Sequence, residues 1–382
     1  MFPCRIAVLV TLTAALYLPA SGQAAAGPAL SACPANPPVT PAPPGAVILS
    51  STVAPSDTST SIVLTPDVDD QIRCGRVAVD ARAGVVYSRP TLPGGGAKAL
   101  AMDILTPRYP GRKPLVIYVS GGGFVQSTKE AALDQRSFVA EAGFVVASIQ
   151  YRTVLDGATY RDTVADVKAA VRYLRAHAGE YGIDPGRVGL WGESAGGYLV
   201  AMAGVTNGQP QFEQGGNLDQ SSRVQAVVDK FGSSNMARIA ADFDLATRQY
   251  YASPGIPIAL YVNGSSSTQS LQGDPTAATT ANPLTYASFS DPAFLLLHGS
   301  ADNLISPSQT LILHQALRAA GIRSTRLVLA GARHGDLSFI GDPVAGLPWT
   351  TNEVMGDIVA FLRWSLARDG FGPFGWRSAG RR

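Results

Sequence analysis

Charge is scarce in this chain. Only 15 % of its 382 residues are Asp, Glu, Lys or Arg, and 30 basic residues nearly cancel 28 acidic ones, which leaves a formal charge of +2. With no basic run beyond Arg377, Arg381 and Arg382, nothing resembles an electrostatic footprint for a phosphate backbone, and nucleic acid is excluded as a partner. Three cysteines and four histidines, none in paired ligand spacing, exclude a structural zinc site, so no metal is expected. Long hydrophobic runs are equally few. The run Ile6 to Leu18 is shorter than the roughly 20 residues a spanning helix needs and is interrupted at Pro19 and Gly22. No later segment is a candidate, so no stable membrane insertion is expected. Hydrophobic residues still make up 46 % of the chain, and at this length about three quarters of the surface can be buried, so a large core is available.

The run Ile6 to Leu18, preceded by Arg5 and followed by Ala24-Ala25-Ala26, reads as a secretory signal over residues 1–26. Its removal takes Cys4 away and leaves Cys33 and Cys74 in an oxidising compartment, where they are expected to pair. Closing a loop of this length is worth up to about 4 kcal/mol in the chain-entropy model. The competing reading is lipidation at Cys33 in Leu30-Ser31-Ala32-Cys33. It is disfavoured because that tetrapeptide begins well past the apolar run. The expected location is extracellular or periplasmic.

Residues 27–46 form a linker, with six prolines between Cys33 and Gly45. The main domain is expected over 47–370, with a basic tail at 371–382. Apolar strand-like runs recur at Ala101 to Leu105, Leu115 to Val119, Phe144 to Tyr151, Val188 to Trp191, Val224 to Val228, Phe294 to Leu297 and Arg326 to Leu329. Several are continuous rather than alternating, as in strands buried on both faces. Helical patterns lie between them. The clearest places Val164, Val167, Val171 and Leu174 on one face, with Arg161, Lys168, Arg172 and Arg175 elsewhere; others run from Gln309 to Ala320 and from Val354 to Leu366. This alternation predicts an α/β fold with a mostly parallel sheet flanked by helices. The interval 233–284 is too long for an ordinary crossover and reads as a cap-like insertion over one end of the sheet.

Gly192-Glu193-Ser194-Ala195-Gly196 fits G-x-S-x-G. A buried-strand run, Val188 to Trp191, precedes it and a helix-forming run, Tyr198 to Ala203, follows it. A serine in so sharp a strand-to-helix turn needs glycine two residues either side, because side chains there would collide with the tight backbone. A serine hydroxyl is a weak nucleophile until a histidine takes its proton, and that histidine needs a carboxylate to fix its tautomer. His177 and His314 fall at or within helices and read as packing or surface residues. Catalytic groups on a parallel sheet gather beyond the carboxyl ends of its strands, which selects Ser194, Asp302 and His334 in that order. Asp336 and His298 are the alternates. Gly121-Gly122-Gly123 directly follows a strand, so the amides of Gly122 and Gly123, with that of Ala195, are the expected oxyanion donors. Phe124, Phe231, Tyr250 and Tyr251 suggest an aromatic pocket, which the loop around Trp349 also helps to shape.

With these residues in place the chain resembles α/β-hydrolase carboxylesterases, close to the hormone-sensitive-lipase-like and feruloyl/acetyl-xylan esterase group. The likeness runs from about Val86 to Leu366. It is strongest in Asp166 to Arg175, Gly182-Ile183-Asp184-Pro185, Trp191 to Gly197, Ser221 to Asp229 and His298 to Asp302. It implies the same triad and oxyanion residues; together with the signal segment, the expectation is a secreted hydrolase of short-chain acyl, aryl or feruloyl/acetyl esters, small or polymer-linked, that works through an acyl-enzyme without a cofactor. One departure stands out: Ser120 occupies the place before the glycine triplet where the family usually has histidine, which puts the shape of that loop in question. Two other readings compete. A prolyl-oligopeptidase-like peptidase uses the same triad order but carries a large propeller for which this chain has no room, and a non-catalytic binding module would show a broken triad.

Overall fold

The computed structural model describes residues 30–38, 47–335 and 343–367. The expected signal segment, part of the linker, the alternate acid Asp336 and the basic tail lie outside them. Among the described residues, no helix is long and apolar enough to cross a membrane.

The chain begins with a short ribbon. Strand β1 (Ser31–Ala32) pairs antiparallel with β3 (Arg73–Cys74), and the Cys33–Cys74 disulfide fastens it. The start of the linker is therefore paired rather than loose, as its proline content alone suggested. Between the two, residues 47–54 run as a strap along the later insertion, and β2 (Ile62–Leu64) joins the main sheet. Next come β4 (Val79–Ser88), β5 (Leu100–Pro107) and β6 (Lys113–Val119), then helix α1 (Leu133–Glu141) and β7 (Val145–Ile149). The carboxylate of Glu141 in α1 accepts the amides of Gly75 and Arg76, which anchors the chain just after β3 independently of the disulfide.

Helix α2 (Tyr160–Ala176) opens with a capping box, in which the Asp162 carboxylate accepts the Thr159 amide at 2.8 Å. Its stripe of Val164, Val167, Val171 and Leu174 is fully buried, as the spacing predicts. Lys168 and Arg172 are buried as well, against that expectation. The Glu213 carboxylate accepts from both, at 2.8 and 2.5 Å, and the carbonyl of Thr206 takes a further bond from Lys168. A loop packed over the helix turned its polar face into an interior one, which helical periodicity cannot reveal.

After α3 (Ala178–Tyr181) come β8 (Ile183–Glu193), α4 (Ala195–Val205) and β9 (Ala226–Lys230). The insertion between β9 and the next strand carries α5 (Leu245–Tyr251), α6 (Pro257–Asn263) and α7 (Pro275–Thr280). The closing elements are β10 (Ala293–Gly299), α8 (Ser308–Ala319), β11 (Ser324–Leu329) and α9 (Asn352–Ser365).

Nine of the described strands form one sheet in the order β2-β11-β10-β9-β8-β6-β7-β5-β4. All neighbours are parallel except β4 with β5 and β5 with β7. The two faces bury separate cores. On one, Val164, Leu174, Leu199 and Leu313 of α2, α4 and α8 cover Leu115, Ile117 and Leu296; on the other, Phe138, Ile358 and Phe361 of α1 and α9 cover Val116, Val228 and Leu297. With both faces covered, the central strands need continuous Val, Ile and Leu, and that is what made them legible. The carboxyl ends of β6, β8, β10 and β11 consequently open at one edge, beneath the insertion.

Candidate active site

Ser194 is the single residue between β8 and α4, held at φ 56° and ψ −121°. This conformation is strained for a residue with a side chain, and it lifts Oγ clear of the turn. The surroundings explain the glycines. A Cβ on Gly192 would lie 2.3 Å from the carbonyl oxygen of Gly196, and one on Gly196 would lie 2.0 Å from that of Val119 in β6. Backbone stands on backbone there, and neither side can yield.

The loops after β10 and β11 bring the other two groups. The Ala301 amide donates to the Ala332 carbonyl at 3.0 Å and the Ser300 amide to that of Leu329 at 2.9 Å, so the two loops are bonded to each other. Asp302 Oδ2 accepts from His334 Nδ1 at 2.8 Å, and His334 Nε2 lies 2.9 Å from Ser194 Oγ. A proton on Nδ1 toward the carboxylate leaves the Nε2 lone pair facing the serine hydroxyl. The amides of Leu304 and Ile305 donate to Asp302 Oδ1 at 2.9 and 3.0 Å. Burial pushes the Asp302 carboxyl up, but the charge of His334 and the N–H groups of His298 and His334 outweigh it, holding the carboxyl well below the usual range. Phe231 packs on the His334 ring at 4.6 Å between centroids, and Trp349 backs Phe231 at the same spacing.

The alternate base His298 lies on the far side of Asp302 and does not face Ser194. His314 is buried against Ser324, 2.8 Å from its hydroxyl, and His177 stacks on Tyr173. Both are packing residues.

Gly121, Gly122 and Gly123 pass directly over the nucleophile, since a Cβ on Gly121 would stand 3.0 Å from that of Ser194. Gly122 and Gly123 sit at φ 140° and 58°, open to glycine and unfavourable to other residues. Ala195 begins α4, so its N–H is one of the first-turn donors with no acceptor in the helix. Ser120 answers the question its presence raised. Its hydroxyl accepts the Thr128 amide at 3.1 Å, while the Tyr151 hydroxyl reaches the carbonyls of Ser120 and Gln126 at 3.0 and 3.2 Å. Tyr151, which the sequence showed only as the end of a strand run, thus braces the loop from beneath. Phe124 closes the loop by stacking on Tyr261 of α6 at 4.0 Å, so the insertion is keyed to it.

Two clefts meet at Ser194. One is apolar and lined by Phe124, Ile239, Tyr250, Tyr251, Ile258 and Ile305, with Val47 of the strap at its wall. The other carries more polar side chains, Ser120, Gln126, Thr128, Gln135 and Glu193, set among apolar ones, with Phe231 beside His334. Phe231 therefore belongs to this second cleft rather than to the aromatic pocket. The buried Lys230 ammonium donates to Glu193 at 2.6 Å and to Gln135 at 2.9 Å and is enclosed by Trp191, Phe231 and Trp349. Nothing in the motif pattern signalled this ion pair.

Its neighbour on β9, Asp229, points to the opposite face under α4. Burial raises its carboxyl to about 7 from an ordinary 3.8, only partly offset by the Gly232 amide on Oδ1, and Oδ2 has no partner. Between those two pH values the folded chain holds a proton that the unfolded chain has released, so stability falls as pH rises from about 4 to about 7 and stays lowered above. Asp229→Asn is expected to melt several degrees higher than the wild type at pH 8, a gain that fades at pH 4. Equal differences in Tm at both pH values would contradict this.

Residues 102–317, more than half of the chain, match the BD-FAE family. The chain is 30 % identical over 205 residues to a probable carboxylic ester hydrolase, LipM, of Mycobacterium tuberculosis, covering 52 % of this chain and 43 % of that one. It is 26 % identical over 279 residues to a probable isoprenylcysteine α-carbonyl methylesterase of Arabidopsis thaliana, covering 72 % and 56 %. The chain thus spans about half the length of the curated relatives it matches. Among solved structures it superposes on a truncated carbohydrate esterase from gut microbiota with a TM-score of 0.63 at 25 % identity, covering 80 % of this chain and 100 % of that one. A thermophilic esterase of Thermogutta terrifontis with bound butyrate shares the fold at a TM-score of 0.57 and 23 % identity, over 77 % of this chain and 96 % of that one. With sheet order, elbow and family match in agreement, the chain is an α/β-hydrolase and belongs to the BD-FAE family.

Proposed function

We propose that this protein is a secreted serine carboxylesterase. Ser194 Oγ attacks the ester carbonyl as His334 Nε2 takes its proton. The developing oxyanion is received by the amides of Gly122, Gly123 and Ala195. His334 then protonates the departing alcohol, and a water activated by the same nitrogen releases the acid from the acyl-enzyme. The observation that carries this reading is the unbroken hydrogen-bonded line from Asp302 through His334 to a serine lying under a glycine loop.

The two clefts favour an ester with dissimilar halves. An aryl, feruloyl or short acyl group suits the apolar side, and a hydroxylated partner, free or on a polymer, suits Gln126, Gln135 and Glu193. Names of relatives and structural neighbours, among them carboxylic ester hydrolase and carbohydrate esterase, point the same way. The disulfide supports an oxidising compartment. The test is hydrolysis of p-nitrophenyl esters from acetate to palmitate beside methyl ferulate, acetylated xylan and an aminoacyl-proline anilide. Turnover of short or feruloyl esters with none of the anilide is expected; silence on every ester from the folded protein ends this reading.

A further inference from the structure

His298 is a buried titratable group that the triad chemistry does not use. It is the last residue but one of β10, with no exposed surface, and the sequence offered it only as an alternate to His334. Its Nε2 lies 3.1 Å from Asp302 Oδ2 and 3.1 Å from the carbonyl oxygen of Ile305. With acceptors on both sides, Nε2 carries the proton. Its Nδ1 lies 3.1 Å from Thr310 Oγ1, which already accepts from Arg326 Nε at 3.0 Å. Since that Arg326 nitrogen only donates, the Thr310 hydrogen is left for Nδ1. Arg326 is itself fixed by the carbonyl of Pro307 at 2.9 Å and the hydroxyl of Ser61 at 2.8 Å. A directed chain of donors therefore runs from Arg326 through Thr310 and His298 to the Ile305 carbonyl, and the Asp302 oxygen that receives His334 Nδ1–H lies beside the same His298 Nε2–H at 3.1 Å.

We propose that His298 is a positioning residue for the triad: by sharing Oδ2 of Asp302 with His334 it fixes the carboxylate's orientation and sets how strongly His334 holds its proton. The proposal rests on the esterase reading above. Each N–H given to Oδ2 draws off negative charge that would otherwise act on the His334 ring. Without the His298 donor, that charge concentrates on His334, the imidazolium is favoured, and the free base is present only at higher pH. A merely space-filling residue at 298 would have no such effect. The other charged or titratable groups around the pair are the Tyr251 hydroxyl on the insertion, the Lys230–Glu193 pair beyond Phe231, and Arg333 beside His334 in the chain. A substitution at 298 alters none of them.

The experiment measures kcat, KM and the pH dependence of kcat/KM on p-nitrophenyl acetate for His298→Phe, His298→Gln and Thr310→Val. His298→Phe is expected to lower kcat about 10- to 100-fold, as loss of such supporting groups does, with KM within about twofold. The acidic limb of its profile should move up by about half a pH unit or more. His298→Gln, which can again offer an N–H to Oδ2, should bring the limb back. Thr310→Val keeps shape but removes the hydroxyl that directs the His298 proton, and should move the limb the same way, which keeps the test available if His298→Phe does not fold. An unmoved limb in folded His298→Phe, or in Thr310→Val where the former does not fold, overturns the proposal even if Tm falls. A wild type without turnover removes the esterase reading and this one with it; an active wild type with unmoved limbs removes this one alone.

Discussion

Ser194→Ala is expected to lose about four to six orders of magnitude in ester turnover while remaining folded. The size follows from the position of Oγ. It supplies the atom that forms the acyl bond, and it is the hydroxyl bonded to His334 Nε2 among the described residues. Stability should change little, because alanine keeps the Cβ that the elbow already accommodates at φ 56° and gives up one hydrogen bond. What remains would come from the glycine-loop amides acting on bound ester, and removing a single such donor costs about 10²- to 10³-fold. The check is p-nitrophenyl acetate hydrolysis and fluorophosphonate labelling of wild type and variant, with melting curves beside them. A variant that keeps either the rate or the label would sink the assignment of Ser194.

The second large effect concerns folding rather than chemistry. Gly196→Ala places a methyl 2.0 Å from the Val119 carbonyl oxygen and 2.7 Å from that of Ser120. Both belong to the end of β6 and to the start of the glycine loop, so relief requires moving a central strand. A loss of about 4 kcal/mol or more is expected, among the largest values single substitutions give. Gly356→Ala is the matched control. It lies within α9 with no atom within 4 Å of the added methyl, and it should gain up to about 1 kcal/mol from helix propensity. Urea midpoints of the two variants decide the matter: similar values would show that the close approach at Gly196 is relieved cheaply.

Legibility in the sequence followed how local the controlling physics is. The central strands β6 to β10 were readable because burial on both faces demands continuous Val, Ile and Leu, as in Leu115 to Val119 and Phe294 to Leu297. The elbow was readable because one turn imposes glycine at two fixed distances from Ser194. Asp302 and His334 could be picked out because the fold gathers such groups at strand ends and few histidines competed. The β4 strand was missed: it lies at the sheet's edge, mostly exposed, and an exposed edge carries no apolar signature. Burial of Lys168 and Arg172 was missed because it depends on Glu213, which reaches them from a loop some 40 residues away. The brace of Tyr151 under the glycine loop and the keying of Phe124 to Tyr261 were invisible for the same reason, since both join segments that only the folded chain brings together.

The Cys33–Cys74 bridge has a practical consequence for producing the protein. It fastens a two-stranded ribbon that shares no strand with the nine-stranded sheet, and the chain just after the β3 half is separately held where Glu141 takes the amides of Gly75 and Arg76, while Cys33 packs on the core and Asn36 accepts the Asp134 amide. Reduction is therefore expected to loosen the segment before the strap, which then rests on those contacts, and to leave elbow, acid loop and base loop in place. A host with a reducing cytosol is expected to supply the folded hydrolase domain, and the oxidised form to resist proteolysis better, because a tethered segment offers proteases one fewer loose end.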